Sequence, residues 1–293
     1  MSEKQTLTKK IDFAVIFSVK NANPNGNPLD GNRPRITDQG YGEVSDVCIK
    51  RKIRDRLQEA GETIFVQSDD RKTDDHKSLK DRAEGELGKP EKNGEKKYVG
   101  EACAKWADVR AFGQVFAFPK DKKGENKKNG DEEGEPENAK GVSIPIRGPV
   151  TVFPAFSTKR LTVSSTQITK SVSGETKADG TRSSDTMGMK HRIDNGIYWF
   201  KGSISPQLAE RTGFTDADAE KIKAVLPRLF ENDASSARPD GSMRVLKVFW
   251  WEQPKGNKYS SAKVHESLTV AADDGAATIT PLDGLTPEEI PGF

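Results

Sequence analysis

Residues 11–20 read "IDFAVIFSVK", and the alternation of Ile11, Phe13, Val15, Phe17 and Val19 decides the fold class. A period of two places those side chains on one face of an extended strand, and predicts that this face covers a core. Directly after it, residues 21–35 read "NANPNGNPLDGNRPR". Asn, Gly and Pro dominate that stretch, so a rigid polar loop is expected there rather than helix or strand.

The loop feeds "SDVCIKRKIRDRLQEAG" at 45–61. Ser45 is placed to cap a helix, Asp46 to complement its dipole and Gly61 to end it. Ile49, Ile53, Leu57 and Ala60 make the expected buried stripe, with Lys50 and Arg54 together at its edge and Arg51 further round. Near the other end, "GFTDADAEKIKAVLPRLF" at 213–230 reads as a helix capped at Thr215, with Asp218 completing a box-like pair. Ile222, Val225, Leu226 and Leu229 supply its apolar contacts, and Pro227 is expected to kink it or end its regular part. "MRVLKVFWWEQP" from 243 is a strand to Trp251, and further strands are expected within 143–153, 160–169 and 196–204. This order is that of an α+β, βαββαβ ferredoxin-like domain. Three stretches stand outside the pattern: polar residues 67–100, a mobile charged loop at 120–141, and 169–188, an extended hairpin arm.

Charged residues make up 31% of the 293-residue chain and hydrophobic ones 33%, so much of it is surface, loop or partner contact. Lys and Arg number 47 against 45 Asp and Glu, which excludes a uniformly basic body and makes any nucleic-acid surface local. The two cysteines, Cys48 and Cys103, are too few and too far apart for a disulfide scaffold or a cysteine zinc cage, and fit a reduced compartment. No apolar run approaches a membrane span, so a soluble cytoplasmic protein without membrane partners is expected.

Enzyme motifs are missing. Three histidines, His76, His191 and His265, lack metal-ligand spacing, and neither a phosphate-binding glycine loop nor a nucleophile elbow occurs. The reading is therefore no catalytic residue, no metal and no cofactor. Asp30 is the one acid suited to metal-assisted strand cleavage, against its plainer reading as the turn residue before Gly31. Positive charge is instead gathered in short clusters, at Arg33 and Arg35, at 49–54, at 157–160 and at 189–192, as phosphate contacts require. The Asn-rich loop would then line a polynucleotide track or, alternatively, serve as a connector satisfied by its own side chains.

The loop together with "GEVSDVCIKRKIRDRL" at 42–57 resembles the N-terminal signature of the CRISPR Cascade backbone subunit of type I-C systems, within the repeat-associated RAMP superfamily. "DVRAFGQVF" at 108–116, "IRGPVTV" at 146–152, "SSTQITKS" at 164–171 and "TMGMKHRIDNGIY" at 186–198 extend the resemblance in order, as does the segment from 212 to 252. It implies a right-hand shape. The ferredoxin-like or RRM-like palm would comprise 1–61, 113–168 and 189–251, the fingers 62–112, the thumb 169–188, and 252–293 a C-terminal tail. It also implies a non-catalytic subunit that polymerises head to tail along one CRISPR RNA. The guide's bases would stay free to pair with a target DNA strand in an R-loop, beside the foot or processing subunit, the large subunit and the small subunits of Cascade.

A guide of arbitrary sequence must be held by its backbone, since base-edge contacts would impose a sequence. On the resemblance, Lys50, Arg51, Arg54, Asn21, Asn23 and Asn25 are the first choices for the palm track, joined by Arg33 and Arg35. Arg147, Ser157, Lys159 and Arg160 come second. At the thumb, Lys170, Lys190 and His191 would meet phosphates, and Met187, with Met189, would either wedge against a displaced base or pack in the core. The competing readings are a RAMP-type RNA endonuclease, which needs Asp30 or His191, and a generic RNA-binding scaffold.

Overall fold

The computed structural model describes residues 5–91, 93–118, 142–169, 187–253, 256 and 258–293. The chain opens with β1 (Lys10–Ala22), then β2 (Gly26–Asn27), β3 (Arg33–Pro34), β4 (Tyr41–Val44) and α1 (Asp46–Glu59). Next come α2 (Leu79–Leu87), α3 (Glu95–Lys105), α4 (Ala107–Phe112), β5 (Gly113–Phe118) and β6 (Val142–Arg147). β7 (Val150–Val152), β8 (Ala155–Arg160), β9 (Val163–Thr169) and the long β10 (Met187–Ile204) lead to α5 (Pro206–Thr212), α6 (Asp216–Val225) and β11 (Met243–Gln253). The chain closes with α7 (Ser261–Glu266), β12 (Leu268–Val270), β13 (Ala277–Ile279) and β14 (Glu288–Pro291).

A mixed α/β architecture results, centred on an antiparallel sheet in the order β14-β11-β1-β10-β8-β4, with β7 and β9 also paired to β10. β1 lies at its middle because it can bury itself completely. Phe13, Val15 and Phe17 face α1 and α6 across the main core, where Phe13 stacks on Trp250 at 5.7 Å and Phe17 on Tyr198 at 5.4 Å. The single buried face expected of β1 is corrected here. Ala14 and Ile16 on its other face are equally buried, under Phe249, Trp251, Val264 and Leu268. The segment expected as a tail supplies that cover, since α7, β12 and β13 pack on the sheet and β14 extends it beyond β11.

Ser45 caps α1 through its side chain, and the reciprocal Thr215 and Asp218 box opens α6, as their sequences predict. The buried stripe of α1 differs from expectation. Ala60 is exposed, while Lys52, Asp55 and Arg56 are buried beside Ile49, Ile53 and Leu57. They can be, because each is paired: Lys52 with Asp233, Asp55 with Arg51 and Arg56 with Glu59.

Helices α2 to α4 carry a second core in which Phe65, Tyr98, Trp106 and Val109 pack with Phe116, Phe118, Ile144 and Ile146 of the β5–β6 hairpin. The second core therefore extends to strands beyond residue 112, whose Phe116, Phe118, Ile144 and Ile146 are buried in it. The charged loop expected at 120–141 lies outside the described residues. So does most of the expected thumb, 170–186, with Lys170.

Candidate nucleic-acid interface

At one end of the sheet, β1 finishes, β10 begins and α1 starts, and the Asn-rich segment bridges them. Its rigidity comes from its own side chains. The Asn27 side chain accepts the Leu29 N–H at 3.2 Å, Pro28 fixes the next backbone angle, and Gly31 takes the left-handed conformation at φ 54°. The segment forms a short β2–β3 ribbon around this turn, where the sequence led us to expect no strand. Asn23 is buried, donating to the Asn32 carbonyl at 2.7 Å, and the Asn25 Oδ1 accepts from the Ser45 N–H at 2.9 Å. The two amides therefore build the loop and anchor the α1 cap, as in the connector reading. Asn21, at φ 52°, lies one residue before the end of β1 and is exposed.

The cations divide into two groups. Arg54 points inward: its Nε donates to Asp108 at 2.9 Å, its guanidinium lies 5.0 Å from the Phe112 ring centroid, and its side chain is 13% exposed. Arg51 joins Asp55 and the Val66 carbonyl. Burial pushes its guanidinium down and the Asp55 carboxyl up, as happens to a pair withdrawn from water. Ser157 is buried, accepting the Gly42 N–H at 2.8 Å and donating to the Lys159 carbonyl at 2.6 Å. All three side chains are engaged by partners within the chain, which a phosphate would have to displace.

The others face water. Lys50 pairs with Asp46 one turn away at 3.0 Å, Arg33 lies 3.8 Å from Asp30, and Lys159 pairs with Asp273 at 2.9 Å. Solvent-exposed pairs of this kind add little stability, so a phosphate can take the carboxylate's place at small cost. Arg160 lays its stem beside Gly40 and is exposed at its head; Lys190 is likewise exposed. Arg35 is half-buried, and Arg147, although exposed, stands apart on β6 opposite Gly113. Asp30 faces solvent at the loop turn.

β9 and the first half of β10 pair from Thr169 opposite Met187 to Val163 opposite Ile193, forming a ribbon that rises from the same end of the sheet. Met187 and Met189 are 68% and 55% exposed, which removes the core-packing alternative for both. His191 Nδ1 lies 2.8 Å from the Ser165 hydroxyl. Among the described residues, no group of three or more His, Cys, Asp or Glu side chains is arranged to hold a metal ion, and no helix is long and apolar enough to cross a membrane. Sequence reasoning missed Asp108, whose carboxylate gathers Arg54 and the N–H groups of Phe65 and Val66. Its only signal was an acid in the first turn of a short helix whose other residues, Arg110 apart, are apolar.

A family model described as "CRISPR-associated protein Cas7" matches residues 9–285. The chain belongs to the Cas7 family. A curated Cas7 relative, from Haloferax volcanii, is 28% identical over 247 residues, covering 83% of this chain and 70% of the relative. Among solved structures, a chain of a pre-nicking CRISPR RNA-guided surveillance complex aligns with a TM-score of 0.45 at 15% identity, over 91% of this chain and 84% of that one. A second surveillance-complex chain aligns with a TM-score of 0.43 at 17% identity, over 90% and 76% of the two chains. A type III-B Cmr-beta chain gives 0.40 at 12% identity, over 83% and 61%.

Proposed function

We propose that this Cas7 chain is the non-catalytic backbone subunit of a cytoplasmic type I-C Cascade, polymerising head to tail along a CRISPR RNA and holding it by its phosphates. The observation that carries this reading is the set of cations flanking a preformed loop at one end of the sheet: Arg33 and Lys50, whose carboxylate partners face solvent, Arg160 opposite Tyr41 and Lys190 on the β9–β10 ribbon. Point charges on a rigid frame suit a backbone of any sequence. The target DNA strand, further copies of the chain and the foot, large and small subunits are the partners this role requires.

In this reading the palm is ferredoxin-like, and support comes from the strand order: the last core strand, the first, the third and the second lie side by side as β11-β1-β10-β8. Helices α2 to α4 with the β5–β6 hairpin are the fingers, and the β9–β10 ribbon is the root of the thumb. The exposed Met187 is the apolar group suited to displacing a base there.

The test is light scattering of the full chain with unrelated single-stranded RNAs of increasing length, in magnesium, followed by gel analysis of the RNA. Mass should rise stepwise with length and the RNA should stay intact. Arg33→Glu with Lys50→Glu should weaken binding equally for every sequence and flatten the salt dependence by about 0.7 per lost phosphate contact. A loss confined to one sequence defeats the backbone-track reading. Cleavage that Asp30→Ala abolishes would replace it with the endonuclease.

A further inference from the structure

The face of the sheet turned away from α1 and α6 is only partly covered. The C-terminal segment packs over β11, β1 and the middle of β10 and reaches Thr158 and Lys159 of β8, leaving β7, the start of β8 and the adjoining part of β10 open. We propose that this open part is a stacking platform for the bases of a single-stranded nucleic acid, separate from the guide track and beyond the function proposed above.

The platform is assembled across strands. Trp199 lies directly opposite Phe156, so both rings stand on one face, and the Phe153 N–H bonds to the Lys201 carbonyl, which sets Phe153 alongside. Phe153 is 52% exposed and Phe156 41%, while Trp199 is half-buried, so they form a contiguous aromatic surface rather than scattered apolar residues. It is rigid. Phe153 rests edge-on against His265 at 6.2 Å, and the His265 Nε2 is fixed 3.1 Å from the Gly202 carbonyl.

The surrounding chemistry points to nucleotides. Lys201 lays its ammonium over the Trp199 ring, 4.6 Å from the centroid, where a stacking base would displace it toward that nucleotide's phosphate. Glu43 faces Phe156 across the β4–β8 pairing and presents a carboxylate acceptor of the kind that suits the exocyclic amino groups of cytosine. Aromatic planes on the open face of such a sheet, with a cation for the phosphate, are the elements of sequence-tolerant single-strand binding.

The experiment uses the full chain carrying Arg33→Glu, Lys50→Glu, Arg160→Glu and Lys190→Glu, so that the outcome is independent of the cations assigned to the guide track. Short oligocytidylates, as DNA and as RNA, are titrated while tryptophan emission is followed. Trp106, Trp250 and Trp251 are at most 1% exposed, so quenching reports Trp199, and Trp199→Phe should abolish it. Phe153→Ser with Phe156→Ser should weaken binding on the order of tenfold or more with an unchanged thermal midpoint. Binding of either polymer supports the platform, and the ratio of the two affinities names the strand it takes. Absence of quenching at saturating oligonucleotide, or equal affinity in the serine variant, overturns the proposal. So does a serine variant whose only change is in the mass of the nucleic-acid-free protein, which would make this face a protein contact.

Discussion

Asp108→Ala is the most direct probe of how the inserted unit is fastened to the sheet. The Asp108 carboxylate is 1% exposed and accepts from the Phe65 N–H at 2.7 Å, the Val66 N–H at 3.1 Å and the Arg54 Nε at 2.9 Å. Truncation leaves a buried guanidinium and two backbone donors unpaired. Removing one partner of a buried ion pair costs about 3–5 kcal/mol, against a total stability of roughly 5–15 kcal/mol for a domain. For a chain of this size that lowers the melting temperature by roughly 10 °C. Urea unfolding followed by circular dichroism measures the cost, and a value under about 1 kcal/mol would refute the clamp. Arg54→Met with Asp108→Leu, which replaces the pair by apolar groups of similar volume, should recover the part due to the stranded guanidinium, while the Phe65 and Val66 N–H groups stay unpaired. If that double variant also binds RNA like the unaltered chain, Arg54 is scaffold. If it does not, Arg54 belongs back on the track.

Two further outcomes follow from close packing and burial. A Cβ on Gly42 would meet the Tyr198 hydroxyl at 2.1 Å, and the Tyr198 ring is held against Phe17, so Gly42→Ala should cost about 1–3 kcal/mol in chemical denaturation. A loss near zero would show that β4 shifts freely. Burial holds the His265 pKa below its ordinary value, with the nearby Asp12 carboxylate opposing the effect. The unfolded chain therefore binds the proton more readily, so this contribution is present above pH of about 6.5 and is lost as pH falls through the lowered folded value. Stability measured from pH 7 downward should decline, and His265→Gln should flatten that decline; an unchanged slope would place the acid sensitivity elsewhere.

The core strands and both caps were legible because a period of two and a Ser or Thr before a helix are local signals. Ile11 to Val19, Ser45 and Thr215 needed no knowledge of their partners. The second face of β1 was not legible, since Ala14 and Ile16 look like filler until residues more than 230 positions later fold over them. Within the candidate interface, sequence located the cations but not their direction. Lys50 and Arg54 share an edge of α1, yet one meets Asp46 in the next turn and the other meets Asp108 from a different unit. Only the tertiary arrangement separates a solvated pair from a buried one. The aromatic surface was invisible for a similar reason: Phe153, Phe156 and Trp199 are drawn from separate strands, and no run of aromatic residues announces them.

The position of β1 in the sheet also constrains how the chain is made. Ile11 finds its neighbours in Ile204 and Glu252, so the central strand leaves the ribosome long before either flank exists. At about 5–20 residues per second, the interval is on the order of 10 to 50 s, during which an apolar segment with high strand propensity has nothing to pair with. Contacts this distant in sequence also close slowly once synthesis ends. Yield in expression should therefore depend on chaperone supply more than on the final stability of the fold, and an early pause in translation would lengthen the most aggregation-prone moment in the life of the chain.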